Sequence, residues 1–377
     1  MGRINFNRPL VSEAALENIR EVLANGHLSG NGPFTKACQD LLAEQLGASR
    51  VLITHSCTAA LEMSVLLAGI EPGDEVIMPS FTFVSTANAV ALRGGVPVFV
   101  DIRPDTLNID ERLIEAAVTE KTKAISVVHY AGVACEMDDI LAIAKAHDLA
   151  VMEDAAQAME ATYRGRPLGA IGDFGAISFH ETKNVISGEG GALVIRDPDA
   201  AARAEIIWEK GTNRAEFMRG EADKYTWIDI GSSFLPSELI AAVLLTQVRD
   251  SSGITRRRLA AWSRYFEAFA ALEAEGLLRR PWSPDHVEHN GHIFYLLLPD
   301  QDRRDALIDH LRGHDIQAVF HYIPLHSAPA GRKFGRVSGT MDVTDATAAQ
   351  LVRLPLHADM DEAVQQRVIA AVLEFFG

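Results

Sequence analysis

Short apolar runs alternate with helix-like segments through the first half of the chain. From about residue 50 to 200, β-rich runs are separated by stretches with apolar residues at helical spacing, such as TAALEMSVLLAG and MDDILAIAKAHD. This alternation is typical of βαβ units around a mostly parallel sheet with covered faces. Ligands of such sheets bind at the carboxyl ends of the strands. The predicted strands are RVLIT, EVIMP, VPVFVDI, KAISVVH and LAVMED, which begin at Arg50, Glu75, Val96, Lys123 and Leu149.

The pattern changes after about residue 200. A polar segment, EKGTNRAEFMRGEADKYTW, precedes a helical region from about Pro236 to Glu275, and the strand HIFYLLLP, the helix RRDALIDHLRGH, IQAVFHYIPLH and a C-terminal helix follow. A chain of 377 residues exceeds the size at which one hydrophobic core usually stops growing. We therefore predict a large α/β domain over residues 1–250 and a smaller α+β domain over residues 251–377.

Composition narrows the class of protein. The net charge of -16 argues against nucleic acid as a partner, because binding a nucleic-acid backbone normally needs a broad basic face. Cys38, Cys57 and Cys135 lack metal-ligand spacing, and so few cysteines indicate a reducing compartment. No signal-peptide pattern or membrane-spanning apolar run is visible. We expect a cytoplasmic protein without a metal site or a membrane partner.

Three positions carry candidate chemistry. The segment THSCTAAL follows a strand, and its small residues could open a helix whose free N–H groups hold a phosphate, or could simply cap that helix. Asp154 ends a buried strand, where a carboxylate needs either a cation or a helix start to cap. Lys183 lies between two predicted strands. It could be a solvated loop lysine, or a buried amine with a lowered pKa that attacks an aldehyde.

Together these positions match the needs of pyridoxal 5'-phosphate (PLP). That cofactor requires an anion site, a carboxylate at its ring nitrogen and an amine for its aldehyde. The chain resembles the DegT/DnrJ/EryC1/StrS family of sugar aminotransferases, which are fold-type I PLP-dependent enzymes with a large α/β/α domain and a small α+β domain. The resemblance rests on blocks in order, including GPFTKACQDLLAE, PGDEVIMPSFTFVSTANAV, EDAAQA, SFHETKN, FHYIPLH and RLPLH.

The resemblance implies roles for individual residues. Lys183 would bind the cofactor covalently and carry a proton, Asp154 would pair with the ring nitrogen, and Gln157 would lie near the phenolic oxygen. Phe83 would stack on the ring, with a core aromatic as the alternative. The remaining implied residues are Ser56, Cys57, Thr58 and Ser178 at the phosphate and His180, Tyr322 and His326 on the sugar side, although His326 could equally be a loop histidine.

Two departures from the family pattern affect the phosphate site. Many relatives have glycine where this chain has Cys57, and many have an asparagine from the neighbouring subunit where this chain has Leu235. Leucine cannot donate a hydrogen bond, so Ser232 or Ser233 could substitute for the asparagine.

Within the family, the chain is most similar to the dTDP-4-amino-4,6-dideoxygalactose transaminases. This likeness implies amino transfer from L-glutamate to C4 of dTDP-4-oxo-6-deoxy-D-glucose by a homodimer with shared active sites. Arg214 and Arg219 are candidate pyrophosphate ligands, or members of a solvated basic loop. The alternatives are a C3 aminotransferase, a nucleotide-sugar dehydratase and a non-catalytic binder. Sibling dehydratases carry histidine in place of the lysine, so Lys183 favours transamination. The configuration of the product at C4 is left open.

Overall fold

The computed structural model of the protein describes residues 2–377. Its helices are α1 Glu13–Asn25, α2 Pro33–Leu46, α3 Cys57–Leu67, α4 Val84–Leu92, α5 Ile114–Ala117, α6 Met137–His147, α7 Pro198–Trp208, α8 Arg214–Arg219, α9 Glu238–Arg249, α10 Ser251–Ala268, α11 Ala270–Ala274, α12 Gln301–Gly313, α13 Pro329–Phe334, α14 Asp342–Gln350 and α15 Glu362–Phe376. Short 3-10 turns cover Glu111–Leu113, Tyr130–Gly132 and Leu325–Ser327.

The strands are β1 Arg50–Thr54, β2 Glu75–Pro79, β3 Val96–Val100, β4 Thr122–Val128, β5 Ala150–Asp154, β6 Thr162–Tyr163, β7 Arg166–Pro167, β8 Phe174–Ser178, β9 Gly191–Ile195, β10 Val287–Glu288, β11 Phe294–Leu297, β12 Val319–Phe320, β13 Arg336–Val337 and β14 Leu351–Leu354. The five strands predicted from the first half of the sequence are confirmed.

An eight-stranded sheet forms the centre of the fold, in the order β1-β9-β8-β5-β4-β2-β3-β13. The pairs from β8 across to β13 are parallel, and β9 runs antiparallel to both of its neighbours. Helices α1, α2, α6 and α9 pack on one face, while α3, α4 and α7 pack on the other. This three-layer arrangement confirms the predicted α/β/α fold, and it explains why the strands are apolar on both faces.

Strand register brings separate loops together at one edge of the sheet. Thr54 at the end of β1 and Ser178 at the end of β8 both pair with Gly191 at the start of β9, while Asp154 at the end of β5 pairs with Ala176. A Cβ on Gly191 would lie 2.4 Å from the backbone nitrogen of Cys57, so only glycine allows this close approach. The segments after β1, β5 and β8 therefore converge.

A second core lies in the C-terminal part of the chain. Strands β11, β14 and β12 form an antiparallel sheet, and helices α10, α12 and α15 contribute to the same hydrophobic cluster. Helix α9 instead belongs to the core of the large sheet. The division at residue 250 stays a prediction, and contacts cross it: Ile4 packs in the C-terminal core, and β13 pairs with β3.

No helix within residues 2–377 combines the length and apolar character that crossing a membrane requires. The three cysteines are free thiols, and Cys38 and Cys135 are buried. The cytoplasmic location stays a prediction.

Candidate active site

A cavity of about 800 Å³ opens at the carboxyl edge of the large sheet, where it is bordered by residues of the C-terminal part. Its wall contains many of the predicted site residues, drawn from segments far apart in the sequence. These are Ser56, Cys57, Thr58, Phe83, Asp154, Gln157, Ser178, His180, Lys183 and Tyr322. The structure therefore brings together ten of the residues that the sequence proposed for one site.

Lys183 lies in the loop between β8 and β9, and its half-buried side chain lines this cavity. Its backbone N–H donates to the carbonyl of His180 at 2.9 Å, which closes a tight turn and fixes the origin of the side chain. Burial lowers the pKa of the Lys183 ammonium; Cys57 and Asp154 oppose this shift, and the charge of Arg353 adds to it. The lowered pKa increases the fraction of neutral amine, which is the nucleophilic form.

Asp154 is held at the cavity wall by neutral donors. Its Oδ2 accepts a hydrogen bond from the hydroxyl of Thr86 at 2.6 Å, and its Oδ1 accepts one from the N–H of Ala156 at 3.1 Å. The residue is only 5% exposed, and it forms no ion pair with any residue in the described range 2–377. A buried carboxylate with no cationic partner is suited to a ligand that brings its own positive charge, such as a protonated pyridine nitrogen.

The beginning of α3 forms a candidate anion cradle. Ser56 caps the helix by accepting a hydrogen bond from the N–H of Ala59 at 3.1 Å. The hydroxyls of Thr58 and Ser85 lie 2.8 Å apart at the same end. Free N–H groups and the positive end of the helix dipole favour an anion here. The cap that the sequence offered as an alternative is present, and it coexists with a site suited to phosphate.

Cys57 occupies the first turn of α3, where many relatives have glycine, and its side chain lines the cavity. Burial raises the pKa of its thiol well above the usual value, with a further contribution from Asp154. The group is therefore a neutral thiol at physiological pH, so it adds no negative charge beside the anion cradle.

Phe83 immediately precedes α4 and also borders the cavity. It is 57% exposed, which excludes the alternative of a core aromatic. A flat ligand could cover this ring, and stacking stays a prediction.

A polar network joins the large sheet to the C-terminal part. Gln157 accepts a hydrogen bond from the N–H of Ala131 at 2.7 Å and donates one to the hydroxyl of Tyr322 at 2.8 Å. The Tyr322 ring stacks on His321 at a centroid separation of 3.7 Å, and His321 Nδ1 is 2.7 Å from the hydroxyl of Tyr130. Burial raises the pKa of Tyr322, so its phenol stays protonated and can donate toward the cavity.

His180 and Ser178 lie at the end of β8. The hydroxyl of Ser178 accepts a hydrogen bond from the N–H of His180 at 3.4 Å. His180 Nδ1 accepts one from the N–H of Thr182 at 3.3 Å, which leaves the proton of the neutral ring on Nε2. Nε2 is therefore the atom of His180 that can donate a hydrogen bond to a ligand.

His326 does not line the cavity of its own chain, which favours the alternative of a loop histidine. Its Nδ1 lies 2.8 Å from the hydroxyl of Ser80, and its Nε2 is 3.4 Å from a carboxylate oxygen of Asp345. Both ring nitrogens therefore have partners at the 3-10 turn that contains His326.

The polar segment around α8 also lies outside this chain's cavity. Arg214 pairs with Glu209 at 3.0 Å, and Arg219 pairs with Glu205 and Glu221, both at 2.9 Å. Ser233 forms an isolated β-bridge with Glu209, and the carbonyl of Ser232 accepts a hydrogen bond from Lys210 at 3.0 Å. None of these four residues lines the cavity of its own chain. Their binding of ligands, for Ser232, Ser233 and Arg214 in the site of a partner chain, stays a prediction.

Two arginines that the sequence reasoning did not assign line the cavity. Arg258 donates to the carbonyls of Gly291, His292 and Leu356 at 3.1, 2.6 and 3.2 Å. Arg353 projects from β14 and lies in the quoted block RLPLH. Its place in a short strand limits its side chain to one of two faces, because alternate residues of a strand face opposite sides. Nothing in the sequence showed which side faced the cavity.

One group of potential metal ligands occurs away from the cavity within residues 2–377. It consists of His310, His314 and Glu374, with ligand atoms within 4.8 Å of one another. None of the three contributes to the cavity wall.

A mostly parallel sheet with a lysine, a strand-end carboxylate and a helix start around one cavity is the arrangement of the fold-type I class of enzymes. The family model of the DegT/DnrJ/EryC1/StrS aminotransferases matches residues 9–373. The chain belongs to this family, and it is a sugar aminotransferase.

Individual proteins support this assignment. The chain is 33% identical over 384 residues to UDP-4-amino-4-deoxy-L-arabinose--oxoglutarate aminotransferase of Shewanella sediminis, covering 98% of this chain and 97% of that protein. The aminotransferase TlmJ of Streptoalloteichus hindustanus superposes with a TM-score of 0.91 at 31% identity, covering 100% and 99% of the two chains. Spr1654 of Streptococcus pneumoniae, solved in a PLP form, superposes with a TM-score of 0.90 at 26% identity, covering 99% and 98%.

Proposed function

We propose that the protein is a PLP-dependent transaminase that moves the amino group of L-glutamate to C4 of dTDP-4-oxo-6-deoxy-D-glucose. The products are 2-oxoglutarate and a dTDP-4-amino-4,6-dideoxyhexose. The observation that carries the proposal is the convergence of Lys183, Asp154 and the start of α3 on one cavity in a chain of this family.

The residues present fit PLP. The start of α3 would hold the phosphate, Asp154 would face the ring nitrogen, and Lys183 would bind the aldehyde carbon. When bound, PLP supplies an aldehyde that takes up an amino group and a ring that accepts electrons. Spr1654, a structural neighbour, was solved in a PLP form, which supports the same cofactor here.

Each protein group then has a defined task. Lys183 Nζ, displaced by the amino donor, would carry a proton between the substrate carbon that bears the nitrogen and C4′, the aldehyde carbon of the cofactor. Asp154 would place its carboxylate against the ring nitrogen. The hydroxyl of Tyr322, held by Gln157, can orient an oxygen of the ligand.

C4 is the proposed position of amination. The Shewanella sediminis relative is named for a 4-amino sugar and for oxoglutarate, which supports a C4 amine and a glutamate donor. The sugar in that relative's name carries UDP, so the preference for UDP or dTDP has to be tested separately.

We expect dTDP-4-oxo-6-deoxyglucose to react with glutamate at least about 100-fold faster than its 3-oxo isomer. Moving the ketone by one ring carbon removes it from the reacting position, while the nucleotide still supplies the binding energy. The measurement follows 2-oxoglutarate and the aminated sugar, and proton couplings assign the configuration at C4. Faster reaction of the 3-oxo isomer would assign C3 instead. The UDP-linked 4-oxo sugar serves as the control for nucleotide preference.

A homodimer with shared active sites is the second part of the proposal. Around α8 the chain exposes large apolar side chains, with Trp227 78% exposed and Met218, Ile228 and Ile230 also exposed. Apolar side chains clustered in a polar segment are typical of a protein interface. Phe83, which borders the cavity, is exposed as well, which supports an interface close to the active site.

Mixing two inactive variants should restore activity if the sites are shared. One subunit carries Lys183→Ala, and the other carries Ser232→Ala with Ser233→Ala. After subunit exchange, we expect roughly a quarter of wild-type activity, because half of the dimers are mixed and each holds one intact site. Exchange is verified by mass spectrometry of the intact dimers. Activity no higher than that of either parent, with exchange complete, would assign each site to a single chain.

A further inference from the structure

Arg353 is a cationic side chain of the cavity wall that lacks an anionic partner. One terminal nitrogen donates to the carbonyl of Phe320 at 3.1 Å, and the guanidinium lies 4.8 Å from the centre of the Phe6 ring. Its Nε is buried and has no hydrogen-bond partner, and Arg353 forms no ion pair with any residue in the range 2–377.

This arrangement is costly unless an anion enters the cavity. A half-buried charge without a counter-charge loses part of its hydration, and a buried N–H without an acceptor destabilises the protein. Burial correspondingly lowers the pKa of Arg353. The second arginine of the cavity, Arg258, differs because three backbone carbonyls accept its hydrogen bonds. Arg353 is therefore the arginine whose donors are available to a ligand.

The position of Arg353 indicates which anion of the reaction it could bind: the carboxylate of the amino donor or the diphosphate of the sugar nucleotide. Arg353 is close enough to Lys183 for its charge to lower the pKa of the lysine, and the two residues line the same cavity. The reacting carbon of an amino acid must come to Lys183, and its carboxylate is attached directly to that carbon. The diphosphate of a 4-oxo sugar nucleotide is instead separated from C4 by the width of the sugar ring.

We propose that Arg353 binds a carboxylate of the amino donor, an assignment that rests on the proposed function. The planar guanidinium presents paired donors that match a carboxylate, and Phe6 holds its plane. Arg353 is thus a specificity residue for the donor half of the reaction. Arg214 and Arg219 do not line the cavity of their own chain, so neither competes with Arg353 for a ligand there.

The test measures binding of two unreactive probes to the purified holoenzyme by calorimetry. Glutarate represents the donor, and dTDP represents the nucleotide of the acceptor. In Arg353→Gln, glutarate should bind roughly 10- to 100-fold more weakly, which corresponds to the loss of a charge-assisted pair of hydrogen bonds. Binding of dTDP should change by less than about threefold, in the range of uncoupled surface changes. The KM for glutamate should rise in parallel, with the KM for the keto sugar unchanged.

Two further variants complete the design. Arg353→Lys keeps the charge without the planar pair of donors and should show an intermediate loss; it also provides the test if Arg353→Gln does not fold. Arg312→Gln, on the exposed surface of α12, is the matched control and should bind both probes normally.

Three other results of these binding measurements would each lead to a different conclusion about Arg353. Weakened dTDP binding with normal glutarate binding would place Arg353 at the diphosphate and overturn the proposal. Normal binding of both probes, with a lowered melting temperature, would make Arg353 a structural residue that supports Phe6 and Phe320. If the wild-type enzyme aminates no keto sugar but glutarate binding still depends on Arg353, the proposed function fails and the carboxylate site stands.

Discussion

Replacing Lys183 by alanine lowers the rate of transamination by roughly 10³-fold or more, because one substitution removes both the nucleophile and the proton carrier. The cofactor should also lose its covalent attachment and become removable by dialysis. The substitution removes a buried amine that lacks a hydrogen-bond partner for its Nζ among residues 2–377, so the fold should survive. The measurements are turnover, the visible absorbance of the bound cofactor and the melting temperature.

Lys145→Ala is the matched control, since Lys145 is an exposed lysine of α6. It should keep full activity and covalent cofactor. Borohydride reduction of the wild-type enzyme followed by peptide mapping identifies the attached residue directly. A cofactor adduct on another lysine would show that Lys183 is not the nucleophile.

The residues predicted from sequence with the most success are those at strand ends. Asp154 and Ser178 end apolar runs, and parallel strands place their carboxyl ends at one edge of a sheet. Lys183 follows β8 by a short loop, so its position depends on local geometry as well. For residues at strand ends, the apolar pattern that locates each strand and the rule that parallel strands end at one edge of the sheet are together sufficient to predict that the residues lie close to one another.

Contacts between distant segments could not be predicted in this way. Gln157 meets Tyr322 across 165 positions of sequence, and this pairing depends on how the C-terminal part packs against the large sheet. Arg353 depends on the same packing. Hydrophobic periodicity shows which residues of an element are buried, but it does not show which other element buries them.

The arginines of the polar segment illustrate a different limit. A basic residue beside a predicted site is equally able to bind a ligand or a neighbouring carboxylate. Arg219 of α8 lies 14 positions from Glu205 of α7, outside the spacing of neighbours within one helix, and yet the two side chains form an ion pair at 2.9 Å. Only the three-dimensional path of the chain decides between these partners.

The two neighbouring carboxylates of β5, Glu153 and Asp154, have different surroundings. Successive side chains of a strand point to opposite faces. Glu153 points into the protein, where it accepts hydrogen bonds from His129 at 2.8 Å and from the N–H groups of Gly169, Ile171 and Gly172. Burial would raise the pKa of Glu153, but these hydrogen bonds outweigh it and lower the pKa. Asp154 borders the cavity instead.

We expect Asp154→Asn to lower the rate of transamination by roughly 10²- to 10³-fold, the range found for removing one oriented electrostatic contact. Stability should change little, since asparagine can still accept the hydrogen bond from Ala156, and the hydroxyl of Thr86 can accept from the new amide. Glu153→Gln is the matched control one residue away. Its free energy of unfolding should fall by about 1–3 kcal/mol. The side-chain amide of glutamine would turn N–H groups toward the N–H donors that now bind the Glu153 carboxylate. The cofactor absorbance of the control should stay normal.

The comparison measures turnover, cofactor absorbance and melting temperature for both variants. Loss of activity without loss of stability in Asp154→Asn, and the reverse in Glu153→Gln, would separate the two carboxylates. Near-normal turnover of Asp154→Asn would mean that a negative charge at this strand end is not needed by the cofactor ring. The hydrogen bonds from Thr86 and Ala156 would then account for Asp154 as the cap of the turn after β5, which is the alternative that the sequence left open.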